Sequence, residues 1–84
     1  MATTREEIRQ WLEDGKTKGS THLIVVCDTF DHEDYPVYVS PSEDVSKKIA
    51  GYSNPKEMQK VMEVYSYKLP LESQLSEHRA YHLD

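Results

Sequence analysis

Five side chains able to bind metal or move protons crowd one short stretch: Asp28, Asp31, His32, Glu33 and Asp34 fall within seven positions. Carboxylates joined by an imidazole are competent ligands for a divalent cation. Their spacing, however, matches neither a calcium loop nor a zinc signature. Carboxylates drawn together without a cation repel one another and hold their protons more tightly, so close approach would imply an ion, a proton or a basic partner. A solvated turn is the plainer alternative. His78 and His82 are four apart, a separation that sets two imidazoles on one helix face. A metal pair there needs further ligands, from Glu77 or the acidic turn. The alternative packs one imidazole on the sheet and leaves the other at the helix end, where its protonated form is favoured.

Other chemistry is harder to assemble from these residues. Cys27 lies in an apolar run with acids nearby and no base, so nothing lowers its thiol pKa and it reads as a buried structural thiol. Ser, His and Asp are present without the glycine elbow that would mark a nucleophile. Three scattered glycines form neither a phosphate loop nor a dinucleotide fingerprint. The expectation is a protein with no catalytic residue, no cofactor and no metal. The six tyrosines offer a flat apolar face with a hydroxyl, which suits both base stacking and protein contacts. Their other use is to pad a small core.

The elements that must position these groups follow from pattern. Thr4 and Glu7 make a capping box, and Ile8, Trp11 and Leu12 share a helix face, which predicts a helix over Arg5 to Asp14 stopped by Gly15. The segment 15–20 is a loop whose Lys16 and Lys18 form a small basic spot. The apolar run Leu23-Ile24-Val25-Val26-Cys27 predicts a central strand, about Thr21 to Thr29, buried on both faces. Pro36 cannot donate a ladder hydrogen bond, so a second strand, about Tyr35 to Ser40, belongs at an edge.

Ser42 is the expected cap of a short helix carrying Val45 and Ile49 and ending at Gly51, with Asn54-Pro55 as a breaker. Within 58–68 a strand is expected over the second half, with Val61, Glu63, Tyr65 and Tyr67 on one side. Pro70 opens a last helix striped by Leu71, Leu75, His78 and His82. The order is α-β-β-α-β-α. Placing the most apolar strand in the middle gives a three-stranded sheet of order 2-1-3, its parallel edge strands joined by a right-handed helical crossover. Helices are expected mainly on one face, leaving the other open to a partner or ligand.

Eighty-four residues make one α+β domain, 1–84, with 37% apolar and 30% charged residues, a globular composition. Ten basic residues against fifteen acids give a net charge of −5, which argues against general nucleic-acid binding. It suits a cationic partner or a ligand held in a local pocket. No run approaches the roughly 18 apolar residues of a membrane span, the N-terminus has no apolar signal region, and there is one cysteine, so a cytoplasmic location is expected.

The block Ile24-Val25-Val26-Cys27-Asp28-Thr29-Phe30-Asp31-His32-Glu33-Asp34-Tyr35-Pro36-Val37-Tyr38-Val39 resembles a family of short hypothetical proteins from bacteriophages, prophages and bacterial genomes. The runs Met58 to Tyr65 and Gln74 to Ala80 are similar as well. The resemblance carries no functional residue. It implies a phage accessory context, in which such proteins counter host defence by sequestering a nucleotide immune signal or by blocking a defence protein. The leading expectation is a non-catalytic homo-oligomer that captures a small nucleotide-like ligand in the host bacterial cytoplasm. Asp28, Thr29, Phe30, Asp31 and Asp34 would supply the polar turn, Tyr35, Tyr38 and Tyr65 would stack, and Lys16, Lys18 or Arg79 would meet phosphate. The alternatives are an acidic inhibitor of a host nucleic-acid-handling defence protein, and a metal-dependent enzyme.

Overall fold

The computed structural model describes residues 4–53, 55–77 and 79–83; His78 and Asn54 lie outside the described residues. The elements are α1 (Arg5–Thr17), β1 (His22–Asp28), β2 (Glu33–Val39), α2 (Val45–Tyr52), a short 3-10 turn (Pro55–Glu57), β3 (Gln59–Ser66) and α3 (Leu71–Leu75). The sheet order is β2-β1-β3, with β1 antiparallel to both neighbours, so β2 and β3 run parallel on either side of it. The α-β-β-α-β-α order and the central place of the greasiest strand follow the pattern of the sequence. Pro36 is on the edge strand β2, where its missing N–H costs no central ladder bond.

Alternation along β1 divides the core into two layers. Leu23 and Val25 share one face with Tyr65 and pack against Ile8 and Leu12 of α1, Leu75 of α3 and Ala80. Ile24 and Val26 share the other with Val37, Val39, Val61 and Val64, against which Val45, Ile49 and Tyr52 of α2 pack. Two of the three helices therefore cover one face. The second face is nonetheless not bare, because α2 lies on it. Each Val, Leu or Ile withdrawn from water contributes about 1.5–3 kcal/mol, so β1, buried on both sides, is where the stabilisation concentrates.

Several local expectations are corrected by tertiary packing. The helix α1 begins as expected, with the Thr4 side chain accepting from the Glu7 N–H at 3.2 Å, but it runs past Gly15 to Thr17. Gly15 is buried inside it. Asp44, not Ser42, caps α2, accepting from the N–H groups of Ser46 and Lys47 at 2.9 and 3.2 Å. That helix continues through Gly51 to Tyr52. Glu43 pairs with Lys48 and accepts from the Ser40 N–H, and these contacts hold its carboxyl down at about 2.

The third strand carries a bulge. Val25 faces Glu63 while Val26 faces Val61, so Met62 is an extra residue and the alternation resets there. Val61 consequently lies on the α2 face, opposite to Glu63 and Tyr65, with which strict alternation would group it. Arg79 secures the bulge, its Nε donating to Met62 O at 2.8 Å and its guanidinium also to Val61 O at 3.4 Å. The last helix ends at Leu75, so His82 does not share a helix face with Leu71 and Leu75, and His78, the other imidazole of the expected stripe, lies outside the described residues. Instead the chain turns back and Tyr81 makes a parallel bridge with Val64, whose N–H donates to Ala80 O at 3.0 Å. His82 sits in this tail, its Nε2 2.6 Å from Glu77 Oε2.

Three tyrosines on the α1 side make the fold sensitive to alkali. Tyr67 donates to Leu12 O at 2.7 Å, and burial, then Tyr38 and Asp14, push its hydroxyl up to about 12. Burial and the neighbouring Glu63 carboxylate raise Tyr65, and burial, then Asp14, raises Tyr38. An acid whose folded pKa lies above its unfolded value stabilises the fold fully below the unfolded value, about 10 for Tyr, and loses that contribution as pH rises through the folded one. The urea midpoint is expected to fall steeply above about pH 10, and Tyr67→Phe should make that fall shallower. An equally steep fall in the variant would remove Tyr67 from the account.

Candidate functional site

The strand-to-strand turn that joins β1 to β2 is built by its own carboxylates. Asp28 Oδ1 accepts from the Phe30 N–H at 2.8 Å and Asp31 Oδ1 from the Glu33 N–H at 3.0 Å, two Asx turns in sequence. The His32 N–H donates to Asp28 O at 2.8 Å, and His32 takes a left-handed backbone, φ 60°. The Thr29 N–H donates to Met58 O at 2.8 Å, which anchors the turn to the start of β3, where Met58 is also left-handed at φ 57°. Backbone hydrogen bonding is thus what the turn acids Asp28 and Asp31 do. Among the described residues no three His, Cys, Asp or Glu side chains converge as a metal site requires.

At the apex of this turn Phe30 is 76% exposed, the most exposed of the large apolar side chains among the described residues. Asp31 and Glu33 beside it are exposed and Asp34 is half-buried. Asp34 lies across from Cys27 in the ladder, and burial followed by the Asp34 carboxylate pushes the Cys27 thiol up, which suits an inert thiol. Met58, 47% exposed, joins Phe30 at this end of the sheet. The result is an exposed apolar tip set among carboxylates.

The remaining residues expected at a ligand site are dispersed. Tyr38 stands opposite Leu23, four residues along β2 from Asp34, which puts it about 14 Å from the turn at strand spacing. Lys18 lies over the Tyr38 ring, 4.3 Å from its centroid, so the basic spot belongs to that far end of the sheet. Lys16 is on α1 and lines a cavity of about 190 Å³ with Arg9, Glu13 and Glu72. Tyr35 faces the α2 layer and accepts from Gln59 Nε2 at 2.9 Å, whereas Tyr38 and Tyr65 face the α1 layer. Tyr65 is fully buried, donates to Glu63 Oε2 at 3.0 Å and accepts from Arg5 at 3.2 Å, so its ring has no face left for stacking. Arg79 is held on the bulge carbonyls. Within one chain, then, Asp28, Thr29, Phe30, Asp31, Asp34 and Tyr35 are gathered, and Lys16, Lys18, Tyr38, Tyr65 and Arg79 are not.

Thr29 has a second setting. It lines a cleft of about 310 Å³ between the turn and the end of α2, together with Ser53, Gln59, Lys60 and Val61. Lys60, Gln59 and Met58 carry no signal that sequence reasoning could use. Their place beside the turn depends on the pairing of β1 with β3 across a gap of thirty residues between Asp28 and Gln59. The fold and this end of the sheet define a small three-stranded α+β domain that presents a hydrogen-bonded hairpin turn. No family model, curated protein or solved structure matches the chain. No helix among the described residues is long and apolar enough to cross a membrane.

Proposed function

We propose that this chain is a non-catalytic accessory protein that acts by docking its acidic, Phe30-tipped hairpin into a basic groove of another protein. Within the phage context that its sequence resemblance implies, that partner is a host defence protein whose groove handles nucleic acid. The observation that carries the reading is the exposure of Phe30 on a turn already ordered by Asp28 and Asp31. A turn whose backbone is already hydrogen-bonded has less backbone entropy to lose on docking, and the exposed Phe30 ring has large apolar area to bury, the properties of an interface hot spot. The surrounding carboxylates would steer a basic partner and make association fall with salt. Dispersal of Lys16, Lys18, Tyr38, Tyr65 and Arg79 away from the turn weighs against the expected nucleotide pocket and for this surface.

The test is capture of a bacterial partner by immobilised protein, compared with Phe30→Ala and with Glu33→Lys, which leaves the Asp28 and Asp31 turn contacts in place. Loss of a hot-spot aromatic weakens binding by about 30-fold or more. Because Phe30 is exposed, its removal is expected to leave the thermal midpoint unchanged. Glu33→Lys should slow association and flatten the salt dependence. A partner retained equally by wild type and Phe30→Ala would end this reading.

A further inference from the structure

Backbone directions along β3 identify its outer edge. The Tyr67 N–H donates to Thr21 O, so Tyr67, Tyr65 and Glu63 turn their main-chain groups toward β1, and Ser66 and Val64 turn theirs away from it. Most of these outward groups are met by side chains. The Gln74 amide takes the N–H and C=O of Ser66, and Arg79 takes the carbonyls of Met62 and Val61 at the bulge. Val64 alone is paired as strands pair. Its N–H donates to Ala80 O and its C=O accepts from the His82 N–H, each at 3.0 Å and in the parallel sense. The segment 79–83 that fills this edge is held by main-chain bonds more than by apolar area. Ala80 is fully buried and its N–H donates to Glu63 Oε2 at 3.2 Å, whereas Tyr81 and Leu83 stay 48% and 43% exposed. At the far end His22 Nε2 lies 3.3 Å from Leu83 O. One ladder pair with the larger side chains left in water is how a segment is built that opens ahead of the core.

The seated segment specifies what this edge accepts: an extended chain parallel to β3, a guanidinium for the Met62 and Val61 carbonyls, and next to it a side chain no larger than a methyl group. We propose that the outer edge of β3 is a docking site for an extended segment of a partner protein, which displaces residues 79–83, pairs with Val64 in the same parallel sense and carries Arg followed by Ala, Gly or Ser. Main-chain bonds supply the attraction in such strand addition, and the side-chain positions supply the selectivity. A chain of net charge −5 favours a segment that brings a cation. The outer edge of β2 is not an equal competitor. Val25 turns its main-chain groups toward β3, so its β2 partner Pro36 faces outward at the middle of that edge with no N–H to give. The β3 site does not depend on the docking role of the hairpin, because Val64 pairs with Ile24, four residues along β1 from Asp28.

The experiment is amide hydrogen exchange of the full chain, read by NMR, in two arms. In the wild type the Val64 and His82 amides are expected to exchange together, about 100-fold or more faster than the most protected amides of β1 and with little acceleration by low urea, as local opening requires. Arg79→Ala should speed Val64 exchange by about ten-fold or more. The second arm adds a synthetic peptide of residues 77–83 in trans. The tethered segment competes at an effective concentration of about millimolar, so the peptide is titrated into Ala80→Asp, where a carboxylate replaces the buried methyl group beside Glu63 and evicts it. The peptide is expected to restore slow exchange at Val64 saturably, to bind about ten-fold or more weakly when its own arginine is replaced by alanine, and to bind equally well when Phe30→Ala is added to the protein. Exchange of Val64 and His82 only with the β1 core, an Ala80→Asp chain that no longer folds, no protection by the peptide, or equal binding of the peptide without its arginine would each overturn the assignment. A wild-type dimer with residues 79–83 exchanged between copies would overturn it in favour of a second copy.

Discussion

Gln74→Leu is expected to lower stability by about 2–3 kcal/mol, although it replaces a buried polar side chain with an apolar one of similar size. Gln74 is 2% exposed and serves the corner between β3 and α3 with both ends of its amide. Its Oε1 accepts from the Ser66 N–H at 2.8 Å, and its Nε2 donates to Ser66 O at 2.8 Å, with longer contacts to Pro70 O at 3.2 Å and Leu69 O at 3.3 Å. Ser66 is fully buried, so after the change its N–H has neither water nor amide to meet. An orphaned buried donor costs about 1–3 kcal/mol, and the carbonyls add to it, which exceeds what leucine recovers by burial in a space already filled by the glutamine stem.

Urea unfolding would read this as a lower midpoint at unchanged slope. Gln74→Glu supplies the complementary reading. A protonated carboxyl can accept from Ser66 N–H and donate to Ser66 O as the amide does, whereas a carboxylate faces that oxygen with its charge. Its folded pKa should therefore be raised above about 4.3, so the variant approaches wild-type stability below that pH and loses it as pH rises. Wild-type stability for Gln74→Leu, or a Gln74→Glu deficit that does not change with pH, would show that the corner has another support.

The second large effect is expected at Gly15. Exposed mid-helix, Gly→Ala would stabilise by about 1 kcal/mol. Here the sign should reverse. A methyl group on Gly15 would collide with Tyr67 Oη and approach Tyr38 Cδ1 to 2.9 Å. Tyr67 cannot yield cheaply, because its hydroxyl is bonded to Leu12 O at 2.7 Å on the same helix. Forcing carbon into such a contact costs about 1–3 kcal/mol, so Gly15→Ala should be less stable than wild type by about 1–2 kcal/mol. Adding Tyr67→Phe removes the colliding oxygen, and the double variant should lose less than the sum of the two single changes. A Gly15→Ala protein more stable than wild type in urea would mean that α1 stands further from the sheet.

Residues whose meaning is local are legible in the chain itself. Thr4 and Glu7 mark a helix start because capping is settled within one turn, the run Leu23 to Cys27 marks a central strand because burial on both faces demands it, and Pro36 marks an edge because it lacks a donor. The sheet order follows from the last two of those readings, and the clustered turn Asp28 to Asp34 stays clustered because the residues are chain neighbours. Gly15, Gln74, Met62 and Arg79 are opaque to such reading for a common reason. Each has its role set by a partner outside its own stretch: Tyr67 for Gly15, Ser66 across the corner for Gln74, and the Val25–Val26 step for the bulge that Arg79 closes.

Local chemistry and hydrophobic period thus determined the elements, their order and the acidic turn, since these depend on near neighbours and on which faces must leave water. Tertiary structure alone decided that Tyr65 is core, that Lys18 and Tyr38 sit at the end of the sheet away from Asp28, and that Lys60 stands beside Thr29. Strand register and helix approach settle these placements, and both are outcomes of packing the whole chain at once, which no stretch of the sequence encodes by itself.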